Sequence, residues 1–179
     1  MAVIDRLLLT ALASCAILIA GNGRREFMEK SLVVAKTLME IYQERFGENI
    51  DEMKTHKLMY FLQRESLIQT DTVLFEEPFY GWKFGPVLLS VRNEFSKSIP
   101  FQDVETSEND QTRALINHVL DQFGGMTPWR LSIKSHEEFS WKLSREGLEP
   151  SDNGHVKIRI EAIRVDAFNE QRKRRKKQK

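Results

Sequence analysis

The segment Tyr80-Gly81-Trp82-Lys83-Phe84-Gly85-Pro86-Val87 marks the place where the chain changes its hydrophobic pattern. Residues 72–82 are rich in β-favouring side chains around a proline, which predicts a short β-hairpin or strand. Gly85-Pro86 then has the form of a helix start, because proline is favoured at the first helical position. The segment therefore predicts a small β element followed at once by a helix.

Helical spacing dominates the chain before this segment. Apolar residues recur every three or four positions over residues 29–46, and Gly47 follows as a stop signal. Asp51 is a suitable N-cap for a second helix that is predicted to end near Glu65. Two amphipathic helices are therefore predicted before the β element.

Helical spacing returns after it. Residues 110–123 carry an apolar stripe, and Thr127-Pro128 reads as an N-cap followed by proline. Ser140 can cap another short helix, while residues 156–167 fit either a strand or a helix and are interpreted as a helix. The sequence thus predicts a mainly α fold: a single compact helical domain with a short β hairpin or strand segment around residues 72–82.

Charge is distributed unevenly along the 179 residues. Seven of the last eight residues are basic; taking them from the 27 Lys and Arg leaves 20 against 26 Asp and Glu, a net charge of −6 for the rest. Such a run is predicted to be a disordered basic tail, to bind nucleic acid through phosphates, or to dock on an acidic protein. The candidate nucleic-acid contacts are Arg172, Lys173, Arg174, Arg175, Lys176 and Lys177.

The chain is predicted to have three parts: an apolar extension over residues 1–27, a domain over residues 28–170 and the basic tail over residues 171–179. The apolar run at residues 7–20 is shorter than the ~20 residues of a membrane span, so no stable span is expected. It resembles part of an export signal, but we favour a translation start at Met28 and a cytoplasmic location. The single cysteine, Cys15, excludes an internal disulfide framework.

The four histidines are the residues most suited to catalysis or metal binding. None has the i, i+4 spacing of a zinc-protease helix, and no cofactor or metal site is predicted. His136-Glu137-Glu138 comes nearest to an acid–base cluster, although a histidine at a helix junction is more often structural. The aromatic residues Tyr80, Trp82 and Phe84 alternate along an extended segment, which fits either core packing or an exposed partner-binding surface.

Three stretches together resemble the Panacea domain, the SocA-like antitoxin family of phage-associated type. Residues 54–63, KTHKLMYFLQ, are similar to its lysine- and leucine-rich helix, and residues 81–87, GWKFGPV, to its A-W-x-Y-G-P-V element. Residues 131–141, LSIKSHEEFSW, are similar to its L-S-x-x-T-H-x-E-x-P-W element. The departures are Gly81 for alanine, Ser135 for threonine and Ser140 for proline. Together the three motifs identify the chain as a member of the family.

The resemblance implies a non-enzymatic antitoxin that neutralises the toxin of a bacterial toxin–antitoxin system by direct protein contact. Some members of the family act instead as adaptors that deliver the toxin to a protease, and others belong to prophages or mobile elements. The alternatives from other classes are a nucleic-acid-binding regulator that uses the tail and a hydrolase centred on His136. The predicted partner-binding residues are Tyr80, Trp82, Lys83, Gly85, Pro86, His136 and Trp141.

Overall fold

Helices account for most of residues 28–178, the part of the chain that this computed structural model describes. Seven helices and one two-stranded antiparallel sheet occur there, which confirms the mainly α prediction. In chain order they are α1 (Ser31–Phe46), α2 (Glu52–Thr70), β1 (Tyr80–Trp82), β2 (Gly85–Val87), α3 (Leu89–Phe95), α4 (Asp110–Phe123), α5 (Pro128–His136), α6 (Phe139–Ser144) and α7 (Ile160–Lys177).

The predicted apolar extension at residues 1–27 lies outside the described residues, as do the export and start-site hypotheses. Within residues 28–178, no helix combines the length and the apolar character that crossing a bilayer requires.

The central element is α2, in which every residue from Lys54 to Leu67 is buried. It contacts α1, α3, α4, α5, α7 and β2, so the core is arranged around it. The helix begins as predicted, with Asp51 Oδ1 accepting a hydrogen bond from the Lys54 N–H at 2.9 Å. It ends at Thr70 rather than near Glu65, because Leu67 continues the buried surface and Asp71 then adopts the left-handed conformation.

The β element lies further along the chain than residues 72–82. Tyr80 pairs with Val87, Gly81 with Pro86 and Trp82 with Gly85. The prediction that Gly85-Pro86 starts a helix is wrong: both residues belong to β2, and α3 begins at Leu89. The Lys57 ammonium donates a hydrogen bond to the Pro86 carbonyl at 3.0 Å, a tertiary contact that fixes this segment against α2.

Residues 156–167 fit both a strand and a helix pattern because an extended segment is followed there by a helix. Residues 156–158 are extended beside β1, where the Gly81 N–H donates to Val156 O at 3.1 Å and the Ile158 N–H donates to Phe79 O at 2.7 Å. The helical pattern then begins at Ile160 with α7. Both patterns are therefore present, one after the other.

Several local predictions are confirmed and one cap is corrected. Gly47 ends α1 in the left-handed region, and the Thr127 hydroxyl caps α5 as predicted. Ser140, however, is not the cap of α6, which begins at Phe139. The carboxylate of Asp166 takes that role from α7 by accepting hydrogen bonds from the N–H groups of Phe139 and Ser140 at 2.6 and 2.9 Å.

The segment predicted to be a disordered basic tail continues α7 through Lys177. Arg174 explains the order: its guanidinium binds both carboxylate oxygens of the buried Glu65, each at 2.8 Å. This bidentate pair joins the end of α7 to α2.

Candidate partner-binding site

The three segments that carry the family motifs meet at the β-hairpin. Gly85 has φ of +108° and lies so close to α2 and α5 that a Cβ atom there would be 2.6 Å from Lys57 Cε and 2.5 Å from Ser135 Oγ. Only glycine fits this conformation and this space without displacement of its neighbours. The fit of Gly85 thus depends on Lys57, 28 positions earlier in the sequence, and on Ser135, 50 positions later.

Helices α5 and α6 hold the backbone of the hairpin through side-chain donors. The Ser132 hydroxyl donates to Phe84 O at 2.8 Å, and the Trp141 indole donates to Trp82 O at 2.9 Å. The Ser135 hydroxyl donates to Ser132 O at 2.8 Å and lies below Gly85. These contacts fix the conformation of the hairpin turn.

His136 packs as a flat ring rather than in the geometry of a general base. It stacks on Trp141 with a centroid distance of 3.9 Å and an interplanar angle of 11°. Burial, and next the positive charges of Lys57 and Arg145, lower the pKa of His136, so the ring is held neutral. Glu138 points elsewhere, to Arg64, so the two groups of the His136-Glu137-Glu138 cluster do not act on a common point.

The predicted site residues divide into a buried group and a half-buried group. Gly85 and Pro86 are buried, while Tyr80, Trp82, Lys83, His136 and Trp141 are half-buried. Tyr80 pairs with Val87 in β2 on one side and forms an isolated bridge with Lys157 on the other, so its backbone lies between two extended segments. The seven residues predicted from motif position thus lie in one hairpin or next to it, and most of them support its shape.

Three exposed apolar side chains beside them are absent from the predicted partner-binding set, although the sequence left open an exposed partner-binding surface that included Phe84. Phe84, Trp129 and Ile133 are 45, 56 and 48% exposed, and we call them the apolar patch. The Phe84 and Trp129 rings lie 6.4 Å apart at 62°, and Ile133 is one turn from Trp129 on α5. The sequence contains a pattern that indicates part of this patch: Trp129 and Ile133 are spaced i, i+4, on a different helix face from the buried Leu131.

A cavity of about 460 Å³ adjoins the apolar patch, and Phe84 belongs to both. It lies between the start of α2, the hairpin turn and α3, and its surface is mainly apolar. Its lining residues are Asp51, Glu52, Met53, His56, Lys57, Trp82, Lys83, Phe84, Val87, Arg92 and Asn153.

The two carboxylates in the wall of the cavity are engaged by the protein. Glu52 forms an ion pair with Arg92 at 2.5 Å, and His56 Nε2 lies 3.5 Å from the same oxygen. The approach of His56 and the ion pair with Arg92 lower the pKa of Glu52 to about 2. The carboxylate of Asp51 caps α2, as described above. Burial lowers the pKa of His56, whose Nδ1 accepts from the Leu88 N–H at 3.3 Å, so the proton of the neutral ring is on Nε2.

Lys57 is a buried cation of a different kind. Its side chain is 1% exposed, and the Pro86 carbonyl is its hydrogen-bond acceptor. Within residues 28–178, no carboxylate oxygen lies within 4.0 Å of its ammonium. Burial lowers the pKa of Lys57 to about 7, so the amine is poised between its charged and neutral forms near neutral pH.

Trp82 adds an unused donor. Its Nε1 is buried and has no acceptor in the described part of the chain. The Arg92 guanidinium lies 5.5 Å from the centroid of the ring. A buried donor without an acceptor costs about 1–3 kcal/mol and calls for a physical reason.

The opposite half of α2 is surrounded by polar side chains that bind one another. Tyr60 donates to Asp166 Oδ2 at 2.9 Å and contacts Ser140 Oγ at 2.8 Å, while Arg64 pairs with Glu138. Burial, and then the charge of Asp166, raises the pKa of Tyr60. Burial also raises the pKa of Glu138 to about 7, against the effect of Arg64.

The predicted nucleic-acid contacts are not equivalent. Arg174 is half-buried by its pair with Glu65, whereas the other five are exposed on α7: Arg172, Lys173, Arg175, Lys176 and Lys177. Across residues 28–178, no three His, Cys, Asp or Glu side chains are grouped so that they could hold a metal ion.

Comparison with known families gives one match, over residues 56–142, to the family described as "Antitoxin SocA-like, Panacea domain". The matched segment contains the hairpin, Lys57, the apolar patch and Trp141. No curated protein and no solved structure gives a significant match.

Proposed function

We propose that this protein, whose residues 56–142 belong to the antitoxin SocA-like Panacea domain family, neutralises a toxin by covering part of the toxin's surface. The toxin is encoded nearby, both proteins act in the cytoplasm, and neutralisation involves no catalysis. The observation that supports this proposal best is the apolar patch on the rigid hairpin and α5.

The patch has the composition of a binding hot spot. Tryptophan and other aromatic side chains dominate the binding energy of protein interfaces, and they act best when they are held rigidly. Trp129 stands on a capped helix, and the backbone of Phe84 is fixed by Ser132. Lys83, with its ammonium 4.9 Å from the Phe84 ring centroid, supplies a charged rim.

The residues first predicted as contacts take two roles in this proposal. Trp82, Lys83 and the half-buried Tyr80 contact the toxin directly. Gly85, Pro86, His136 and Trp141 maintain the hairpin shape that presents them. Support for this division comes from the burial of Gly85 and Pro86 and from the hydrogen bond between Trp141 and Trp82 O.

The test is co-expression of the chain with the toxin encoded by the neighbouring gene. Trp129→Ser is expected to weaken toxin binding by at least about 30-fold, the effect of losing one hot-spot side chain, and to abolish growth rescue. The free energy of unfolding should change by no more than about 0.5 kcal/mol, because the side chain is exposed.

Phe168→Ser is the matched control, since Phe168 is a 59% exposed aromatic residue on α7, away from the hairpin. It should bind and neutralise the toxin as the parent does. Full neutralisation by Trp129→Ser, with a folded protein and a toxic partner, would contradict the proposed surface.

A second candidate function is supported by the five exposed basic residues at the end of α7, which form a phosphate-binding surface for nucleic acid. Replacement of Lys173, Lys176 and Lys177 by Gln leaves the Arg174–Glu65 pair intact. If the surface binds DNA, this variant should lose retention on a DNA column at low salt. Unchanged retention would eliminate this candidate.

A further inference from the structure

We infer that the cavity beside the apolar patch binds a carboxylate carried on an apolar stem, supplied by an acidic segment of the toxin. The inference rests on the proposed function and deepens it, because it specifies the chemistry of the segment that enters. The cavity and the patch are continuous through Phe84, so one polypeptide segment can occupy both.

The walls of the cavity accommodate the stem. Met53, Phe84 and Val87 contribute apolar side chains at the start of α2 and along the hairpin. A volume of about 460 Å³ is within the range of small-ligand sites and exceeds what one water molecule needs. The stem is therefore an aliphatic or aromatic group rather than a bare anion.

The charges of the cavity select an anion. Lys57 and Lys83 both line it, and neither has a carboxylate within 4.0 Å among residues 28–178. Lys83 is half-buried at the rim and can contact a ligand directly. Lys57 also lines the cavity but is only 1% exposed, so it acts on the ligand through its charge, which is weakly screened when a cation is buried.

The carboxylates of the cavity do not cancel this preference. Glu52 is paired with Arg92, and Asp51 accepts from the backbone N–H at the start of α2. The positive charges of the two lysines are the ones that remain without an anionic partner. An incoming carboxylate would therefore complete a charge balance that the described chain leaves open.

The Trp82 indole provides a hydrogen-bond donor to the cavity. Its Nε1 has no acceptor among residues 28–178, and Trp82 lines the same cavity. Hydrogen bonds with an ionised acceptor are stronger than neutral ones, so a carboxylate is the better partner for this N–H. His56 Nε2 lines the same cavity and also has no hydrogen-bond partner among residues 28–178. Two lysines without a carboxylate partner and two N–H donors without an acceptor in this part of the chain thus surround one apolar cavity.

The first experiment uses 3-phenylpropionate as a probe and 3-phenylpropanamide as its neutral counterpart. Binding is followed in ¹H–¹⁵N spectra by the indole signal of Trp82, identified by its loss in Trp82→Phe. The acid is expected to shift this signal in a saturable manner and to bind at least about tenfold more tightly than the amide. Equal affinities, or no shift at about 10 mM acid, would overturn the inference without affecting the result for Trp129→Ser.

Variants identify the charges responsible. Lys83→Gln and Lys57→Met should each weaken binding of the acid by about tenfold and leave binding of the amide unchanged. Lys176→Gln, on the exposed end of α7, is the matched control and should have no effect. Acid affinity that survives both cavity substitutions would overturn the inference.

The second experiment identifies the source of the carboxylate. Saturating 3-phenylpropionate should reduce the affinity for the neighbouring toxin, whereas the amide at the same concentration should not. Probe binding without competition would show that the cavity serves a free carboxylic acid, and it would overturn the assignment to a toxin segment. Toxin neutralisation through Trp129 would stand in that case.

Discussion

Lys57 and Arg64 lie seven residues apart on α2, and each is 1% exposed, yet their surroundings differ. Arg64 forms an ion pair with Glu138, and its guanidinium carbon lies 4.9 Å from the centroid of the Phe61 ring. Its Nε and Nη2 lack hydrogen-bond partners in residues 28–178, so the aromatic contacts offset part of its burial. Lys57 has a backbone carbonyl and no comparable anion.

The difference separates a region that stabilises the fold from one that is prepared for a partner. At Arg64 the charge is matched within the chain, and the surrounding polar groups of Tyr60, Ser140 and Asp166 bind one another. At Lys57 the charge is unmatched and lies beside a cavity and an exposed aromatic surface. Burial alone does not distinguish these roles, whereas the presence of a counter-charge does.

The largest expected effect comes from Arg64→Met. Removing one partner of a buried ion pair leaves Glu138 without its cation, and we expect a loss of about 3–5 kcal/mol in the free energy of unfolding. Urea denaturation at pH 7.5 measures it. Lys57→Met is the matched control on the same helix and should cause a much smaller loss, because the lost hydrogen bond to Pro86 O is offset by removal of a buried amine without a carboxylate partner. Equal destabilisation by the two variants would break the comparison.

Gly85→Ala should have the next largest effect, about 3 kcal/mol, because a strained backbone angle is combined with steric overlap. The new methyl group would lie 2.5 Å from Ser135 Oγ and 2.6 Å from Lys57 Cε. Thermal and urea unfolding measure the loss. Gly125→Ala is the control, since no atom lies within 4 Å of its Cβ position. A Gly85→Ala protein as stable as the Gly125→Ala protein would contradict the packing around Lys57.

The smallest effect concerns the pH dependence of stability. The pKa of Lys57 is about 7 in the folded protein against 10.5 for an ordinary lysine, so above pH 7 the unfolded chain binds a proton that the folded protein does not. Stability contributed by the neutral amine is therefore absent below pH 7 and increases by about 2 kcal/mol between pH 7 and 9.

Comparison of the parent with Lys57→Met isolates this term from other titrating groups. The stability of Lys57→Met relative to the parent should be greatest at or below pH 7 and should decrease as the pH rises to 9. Urea denaturation at four pH values measures both proteins. A difference in stability that does not change with pH would show that Lys57 titrates normally.

The sequence correctly predicted those helix ends that depend only on residues nearby in the sequence. Gly47, Asp51 and Thr127 stop or cap helices by geometry that is available within one turn. Gly85-Pro86 carries the same kind of signal, but its conformation is decided by Lys57, which donates to Pro86 O across 29 positions of sequence. The basic segment was misjudged for a similar reason, because the anion that orders it is Glu65 on α2.

The sequence predicted where the candidate site lies, but not how its side chains are arranged. Motif position identified the hairpin, but sequence pattern could not show that Trp82 leaves its N–H free or that Trp129 faces outward. Both properties depend on how α5 and α6 pack against the turn. Lys57 stood within a motif, yet its isolation from carboxylates is visible only in three dimensions.

The burial of α2 also limits how early during synthesis this protein can complete its fold. One side of the helix is covered by α7, which is translated more than 80 residues later. At roughly 5–20 residues per second, α2 is therefore incomplete for several seconds after it leaves the ribosome. A nascent chain in that interval presents apolar surface to chaperones and proteases, so the delay between synthesis of α2 and completion of its packing is set by the position of α7.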